Sequence, residues 1–232
     1  MTRVAAVMPT IPTREPTAAA VVETLTSQGA SVLVHLNGHD VVPSWARAPS
    51  VSSVRHPRGT GPSIRLETIP EADVILFVDD DMRYPADYVA ASVAALRRLG
   101  AGTAIAYHGS FWPRGSHGRF TERRLITYAA ASPRDRPVAM MGTGTTAFHR
   151  ADLMRVDRNV PPAFVRDDDV WLSAACARAR IRMIRPKTGA GWINHTPAAH
   201  DGLFRKAIVD GFVKRDAVIA AARKLGTWRL EV

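Results

Sequence analysis

The chain has 232 residues, 46% of them hydrophobic and 22% charged, enough apolar side chains to bury a core, which excludes wholesale disorder. Lys and Arg number 31 against 21 Asp and Glu, and the net charge of +10 favours anionic partners: nucleic acid, nucleotide phosphates or an anionic surface. A single cysteine, Cys176, excludes an intramolecular disulfide and a cysteine-rich zinc site, and no apolar run approaches the ~18 residues of a membrane span. That cysteine usage suits a reducing compartment, so the expected location is cytoplasmic.

Val4–Met8 is an apolar run closed by Pro9 and reads as a buried first strand, not a signal peptide. Pro16–Gln28 reads as a helix, with Pro16 in its first turn and Gly29 as its stop. Val32–Leu36 is a second strand closed by the turn pair Asn37-Gly38, Val51–Arg55 a weaker third, and Ser63–Ile69 a short helix. Val74–Val78 is unbroken in its apolarity, the pattern of a strand buried on both faces. Pro85–Leu99 has Val89, Val93 and Leu96 at helical spacing before Gly100, and Thr103–Tyr107 returns to strand. Helices alternating with strands predict an α/β domain with a mostly parallel central sheet. His108–Arg136 breaks the rhythm with glycines, prolines, aromatics and six arginines, and so long a stretch without periodicity reads as functional. Thr145–His149 resumes as strand, Val170–Ala179 as helix and Ile181–Ile184 as strand, while His200–Leu225 reads as one or two helices with a break at Gly211.

Asp79, Asp80 and Asp81 follow the buried run Val74–Val78 directly. In open parallel sheets ligands bind beyond the carboxyl ends of the strands, so this triplet aims negative charge at the usual site. Three adjacent carboxylates repel unless protonated or neutralised, and a hard divalent cation, Mg2+ or Mn2+, neutralises them. The alternative is a polar turn that caps the following helix. A second triplet, Asp167 to Asp169, opens the helix at Val170, either as a cap or as carboxylates for acid–base work. Gly142 to Ala147 fits G-x-G-x-x-A, but a strand follows it where a dinucleotide site needs a helix.

The segment VILFVDDDMRYPADYV resembles the DxD region of GT-A fold glycosyltransferases, particularly the inverting family-two group. The likeness continues in order through VAAVMPTIPTREPT, VLVHLNG, RGTGPSIRLETIPEAD, GTGTTAFHRADL and RDDDVWLSAACARARIRMIRP, about residues 4–186. It implies one domain over residues 1–232: a nucleotide-sugar-binding half (1–107), an acceptor and catalytic half (108–199) and C-terminal helices (200–232). It implies a nucleotide-sugar donor, of UDP type, contacted by Thr10, Pro12, Arg14, Asn37, Arg65, Asp79 and Asp80. Asp79 and Asp81 match the metal-binding positions of DxD, with Mn2+ or Mg2+ as cofactor. His195 and His200, in GWINHTPAAHDG, stand where such enzymes often supply a further ligand, and a surface or hydrogen-bonded role is the alternative for each. Asp169 matches the catalytic base, with Asp168 beside it. Two positions depart from the pattern: Leu66 replaces the usual Asn after Arg65, and Asn37 stands where Asp is commoner.

The acceptor is open. Trp112, Arg119, Arg123 and Arg124 lie in the irregular segment as candidate acceptor contacts, and with the basic C-terminal residues they make a nucleic acid, such as a modified DNA base, a candidate acceptor. Trp112 serves equally well as core. A nucleotidyltransferase would share the acidic site but normally shows a Gly-rich basic signature near its first strand, which TIPTREPT lacks. A non-catalytic basic module that binds nucleic acid leaves two acidic triplets unexplained.

Overall fold

Alternate residues of the central strands point to opposite faces, and in the computed structural model, which describes residues 2–196, 212–226 and 228–231, both faces are covered. β1 (Val4–Thr10), β2 (Ser31–Asn37), β3 (Val51–His56) and β4 (Val74–Val78) run parallel in the order β3-β2-β1-β4. α1 (Glu15–Ser27) crosses from β1 to β2. After β4 come the short β5 (Met82–Arg83), α2 (Tyr88–Leu99) and β6 (Thr103–Ala106). Helix α2 starts at Tyr88, later than the expected Pro85, because the Pro85 carbonyl closes a turn onto the Tyr88 N–H.

The irregular segment holds structure that its sequence hides. β7 (Gly109–Phe111), β8 (Arg124–Ile126) and, beyond β9 (Arg136–Pro137), β10 (Met140–Met141) form a small antiparallel sheet in the order β10-β7-β8. β11 (Thr145–His149) then inserts between β4 and β6, antiparallel to both, and leads into α3 (Arg150–Leu153). α4 (Asp168–Arg178) precedes β12 (Arg182–Arg185), which pairs parallel to β6 and antiparallel to β9. β13 (Asn194–His195) pairs with β5, and α5 (Val213–Lys224) follows. The full sheet reads β3-β2-β1-β4-β11-β6-β12-β9, mostly parallel, and both halves of the chain contribute to it.

The strand alternation decides which helix lies where. Val4, Ala6 and Met8 of β1 and Val74, Leu76 and Val78 of β4 share a core with Val21, Val22 and Leu25 of α1 and Tyr88 and Leu96 of α2. Ala5, Val7, Ile75 and Phe77 face the other way, against Val170, Leu172 and Cys176 of α4 and Ile219 of α5. Helix α4 begins at Asp168, so the second acidic triplet sits within its first turn. Among the described residues no helix is long and apolar enough to cross a membrane.

Candidate active site

Because β1, β2 and β4 are parallel neighbours, the residues that leave their carboxyl ends meet at one edge of the sheet. Thr10 and Asn37 end β1 and β2, Pro12 and Arg14 form a single 3-10 turn after β1, and Asp79 to Asp81 follow β4. Arg14 reaches across, its Nη1 donating to Asp80 Oδ1 at 2.7 Å and Asp81 Oδ2 at 2.9 Å. Asp80 is 4% exposed, and burial pushes its carboxyl up to about 6 against the opposing pull of Arg14 and the Thr10 hydroxyl. Asp81 is raised by burial first and by repulsion from Asp79 second, with Arg14 and His195 opposing. The Asn37 side chain accepts the Gly59 N–H at 3.1 Å and so pins the loop that leads to Arg65.

That loop brings in the central cation. At Gly61 (φ +87°) an added Cβ would lie 2.4 Å from the Val165 carbonyl oxygen, and this close approach sets the turn Pro62–Leu66 against the loop that leads from α3 into α4. The buried Arg65 guanidinium donates to Asp79 Oδ1 at 2.7 Å, and its Nε stands 3.0 Å from Asp168 Oδ2. Burial works against its charge, yet Asp79 and Asp168 hold its pKa above the ordinary value. One guanidinium therefore joins the two acidic triplets. Asp168 is pushed up to about 6 by burial, which outweighs Arg65.

Two further residues set the position of Asp79, and the sequence reading missed both. The buried Tyr84 phenol donates to the Gly144 carbonyl at 2.6 Å and accepts the Asp79 N–H at 2.8 Å, which ties the end of β4 to the head of β11. At Gly144 an added Cβ would lie 1.9 Å from Asp79 Oδ2. Gly144→Ala is therefore expected to swing Asp79 off Arg65 and, if Asp79 serves the metal and UDP site that the sequence leads one to expect, to weaken metal-dependent UDP binding on the order of tenfold, as disturbed metal surroundings do. Calorimetry checks it, and unchanged binding would show that the Asp79 carboxylate is not needed there. A MRYP string and a GTG string gave only weak signals, because each acts through a partner about sixty residues away.

His195 reaches the same edge through the β13–β5 pair, in register with Met82, and the next residue, Thr196, donates both its N–H and its hydroxyl to the Asp81 carbonyl at 2.8 and 3.1 Å. His200 lies outside the described residues. Asp79, Asp81 and His195 offer hard oxygens and an imidazole at this edge, but Asp79 is paired with Arg65 and Asp81 with Arg14. Among the described residues, no three His, Cys, Asp or Glu side chains are grouped so as to hold a metal ion between them. An ion at this edge would rest on one or two of these carboxylates and complete its shell with phosphate oxygens and water.

Asp169 faces a different cation. Arg215 of α5 places Nη2 2.5 Å from both Asp169 oxygens, and its Nε is 3.0 Å from Asp167 Oδ1. The Asp167 side chain meets Arg215 and makes no capping bond to α4, so the cap reading of the triplet fails for it. The candidate acceptor residues separate. Trp112 is 1% exposed and its Nε1 donates to the Arg119 carbonyl, so its ring packs the core and presents no open stacking face. Arg119 and Arg124 are exposed, whereas Arg123 turns inward over Phe120. A cavity of about 350 Å³ between α2 and residues 186–192 is floored by alanines and lies apart from these carboxylates.

No family model and no curated protein matches this chain. Among solved structures it is similar to glucosyl-3-phosphoglycerate synthase from Mycobacterium tuberculosis, which was crystallised with Mn2+, uridine diphosphate and glucosyl-3-phosphoglycerate. The TM-score is 0.56 at 15% identity, over 95% of this chain and 78% of that one. Mannosyl-3-phosphoglycerate synthase from Rubrobacter xylanophilus gives 0.43 at 14% identity, over 97% and 74%. At such identity the first likeness is one of fold: the mostly parallel sheet flanked by helices is the GT-A arrangement that the sequence predicts.

Proposed function

We propose that the chain is a metal-dependent glycosyltransferase that moves a sugar from a UDP-type nucleotide sugar to an acceptor hydroxyl, with inversion at the anomeric carbon. The observation that carries this reading is the Asp79–Arg65–Asp168 link, which holds the two acidic triplets a single guanidinium apart. The GT-A fold adds support, as does the Mn2+ and uridine diphosphate held by the solved neighbour.

Thr10, Pro12, Arg14 and Asn37 bind the nucleoside end of the donor, and Arg65, Asp79 and Asp80 the diphosphate and sugar end. Asp79 and Asp81, with His195, would hold the divalent ion, which would supply positive charge to offset that of the leaving diphosphate. Asp169 takes the proton of the acceptor hydroxyl, whose oxygen bonds to the anomeric carbon. The bond from that carbon to the diphosphate oxygen breaks, and the nucleoside diphosphate leaves with the electron pair. For this step Arg215 gives up its hold on one Asp169 oxygen. A DNA base as acceptor draws support only from the net charge and the exposed Arg119 and Arg124.

The test is UDP binding by calorimetry. The natural chain is expected to bind UDP on the order of tenfold more tightly with Mn2+ than with a chelator. Asp81→Ala is expected to bind equally weakly in both. Metal-dependent binding retained in the variant removes Asp81 from the ion site.

A further inference from the structure

Two guanidinium groups lie on one phenyl ring beside the candidate base. The guanidinium carbon of Arg123 is 3.4 Å from the centre of the Phe120 ring, and that of Arg215 is 4.6 Å away. Phe120 is 1% exposed, and its N–H donates to Asp216 of α5 at 2.6 Å, so ring and helix hold both cations in place. The two differ in what neutralises them. Arg215 has Asp167 and Asp169. Arg123 has no carboxylate partner among the described residues: its Nη1 donates to the Phe120 carbonyl at 2.6 Å, and its Nε is buried with no hydrogen-bond partner. Burial and then the Arg215 charge pull the Arg123 pKa down to about 10, with Asp169 opposing. It remains a cation at neutral pH, but one held against both desolvation and a like charge. A leucine or methionine would cover Phe120 without either cost.

On the glycosyltransferase reading above, we propose that Arg123 binds an anionic group, a phosphate or a carboxylate, carried by the acceptor beside the hydroxyl that Asp169 deprotonates. The donor diphosphate has its own cations, Arg14 and Arg65, on the Asp79–Asp81 side. Arg123 instead shares the Phe120 ring with Arg215, which grips Asp169, the candidate base. A single inward-facing cation reads one anionic group, as on a small phosphorylated or carboxylated acceptor. Exposed arginines such as Arg119 and Arg124 are what a polyanion would use.

The test titrates glycerol phosphate, glycerate, glycerol and a short single-stranded oligonucleotide into the full chain by calorimetry, with and without UDP and Mn2+. Arg123→Gln and Arg123→Lys are run beside the natural chain, with thermal melts confirming that both fold. The natural chain is expected to bind glycerol phosphate or glycerate in preference to glycerol. Arg123→Gln is expected to weaken that binding about tenfold or more, the scale of a lost charge-assisted hydrogen bond, and Arg123→Lys to recover part of it. Any one of three results overturns the proposal: no preference for the anionic probes in the natural chain, anion binding unchanged in Arg123→Gln, or UDP binding lost in parallel with it. Oligonucleotide binding that needs Arg119 and Arg124 but not Arg123 also overturns it, in favour of a polyanion. If the natural chain fails to bind UDP with Mn2+, the glycosyltransferase reading fails separately, and the titrations without UDP still decide what Arg123 binds.

Discussion

Arg65→Met is expected to destabilise the fold by about 3–5 kcal/mol and to lower its melting temperature by roughly 6–20 °C. The guanidinium is buried and serves two carboxylates. Asp79, 38% exposed at its side chain, can turn to water, but Asp168, at 7%, cannot. Removing the cation leaves a buried carboxylate unpaired, which costs far more than the net value of the pair. Arg65 opposes the burial that lifts Asp168 to about 6, so without Arg65 this carboxyl rises further. A carboxyl whose folded pKa exceeds its unfolded value costs stability as pH climbs through the folded value, because the native state must then ionise it. The deficit of Arg65→Met should therefore widen as pH rises through and beyond about 6, the value of Asp168 in the natural chain. Urea unfolding at several pH values measures it. A deficit below about 1 kcal/mol, or one indifferent to pH, would mean that the two triplets hold together without their bridge.

Asp169→Asn is expected to lower transfer by ~10²-fold or more while UDP binding with Mn2+ stays within about twofold, the pattern of a lost general base at an intact donor site. The amide keeps the shape and one acceptor oxygen for Arg215, so the helix start is preserved. Single-turnover transfer and UDP calorimetry separate the two effects. Should Asp168→Asn abolish transfer while Asp169→Asn remains active, the base lies one residue earlier and Arg65 is its immediate partner.

The parts of the molecule that were legible in advance are those with a local cause. Val74–Val78 announced a strand buried on both faces, and the Asp triplet after it marked the sheet edge where the candidate site lies, because apolarity and charge are carried by consecutive residues. The Asn37-Gly38 turn, β11 and the order of elements were readable for the same reason. The mostly parallel sheet was readable too, but the direction of β11 was not. β11 has the composition of any buried strand, and only its pairing makes it antiparallel between β4 and β6. The β5–β13 pair, which brings His195 to Asp81, consists of two residues on each side and has no period to detect. Arg65 was expected to face the donor, and its bridge to Asp168 depends on the contact of Gly61 with Val165, more than a hundred residues away. Arg215 looked like one basic residue among several on a C-terminal helix, since nothing in its neighbours reveals that it meets Asp167 and Asp169. Trp112 sat in a segment without periodicity, and there a core residue and a stacking platform read alike.

Cys176 lies on α4, two turns beyond Asp168 and Asp169, and is fully buried. Burial raises its thiol pKa well above the ordinary value, so in the closed molecule it is neither a nucleophile nor within reach of a reagent. As the chain's single sulfhydryl, it reacts only when this helix lifts from the sheet, and its labelling rate falls below that of a free thiol by the opening equilibrium constant. The chain thus carries its own clock for the helix that holds the candidate base. Labelling with and without UDP and Mn2+ reads how firmly that helix is seated, with no introduced probe and no assay of turnover.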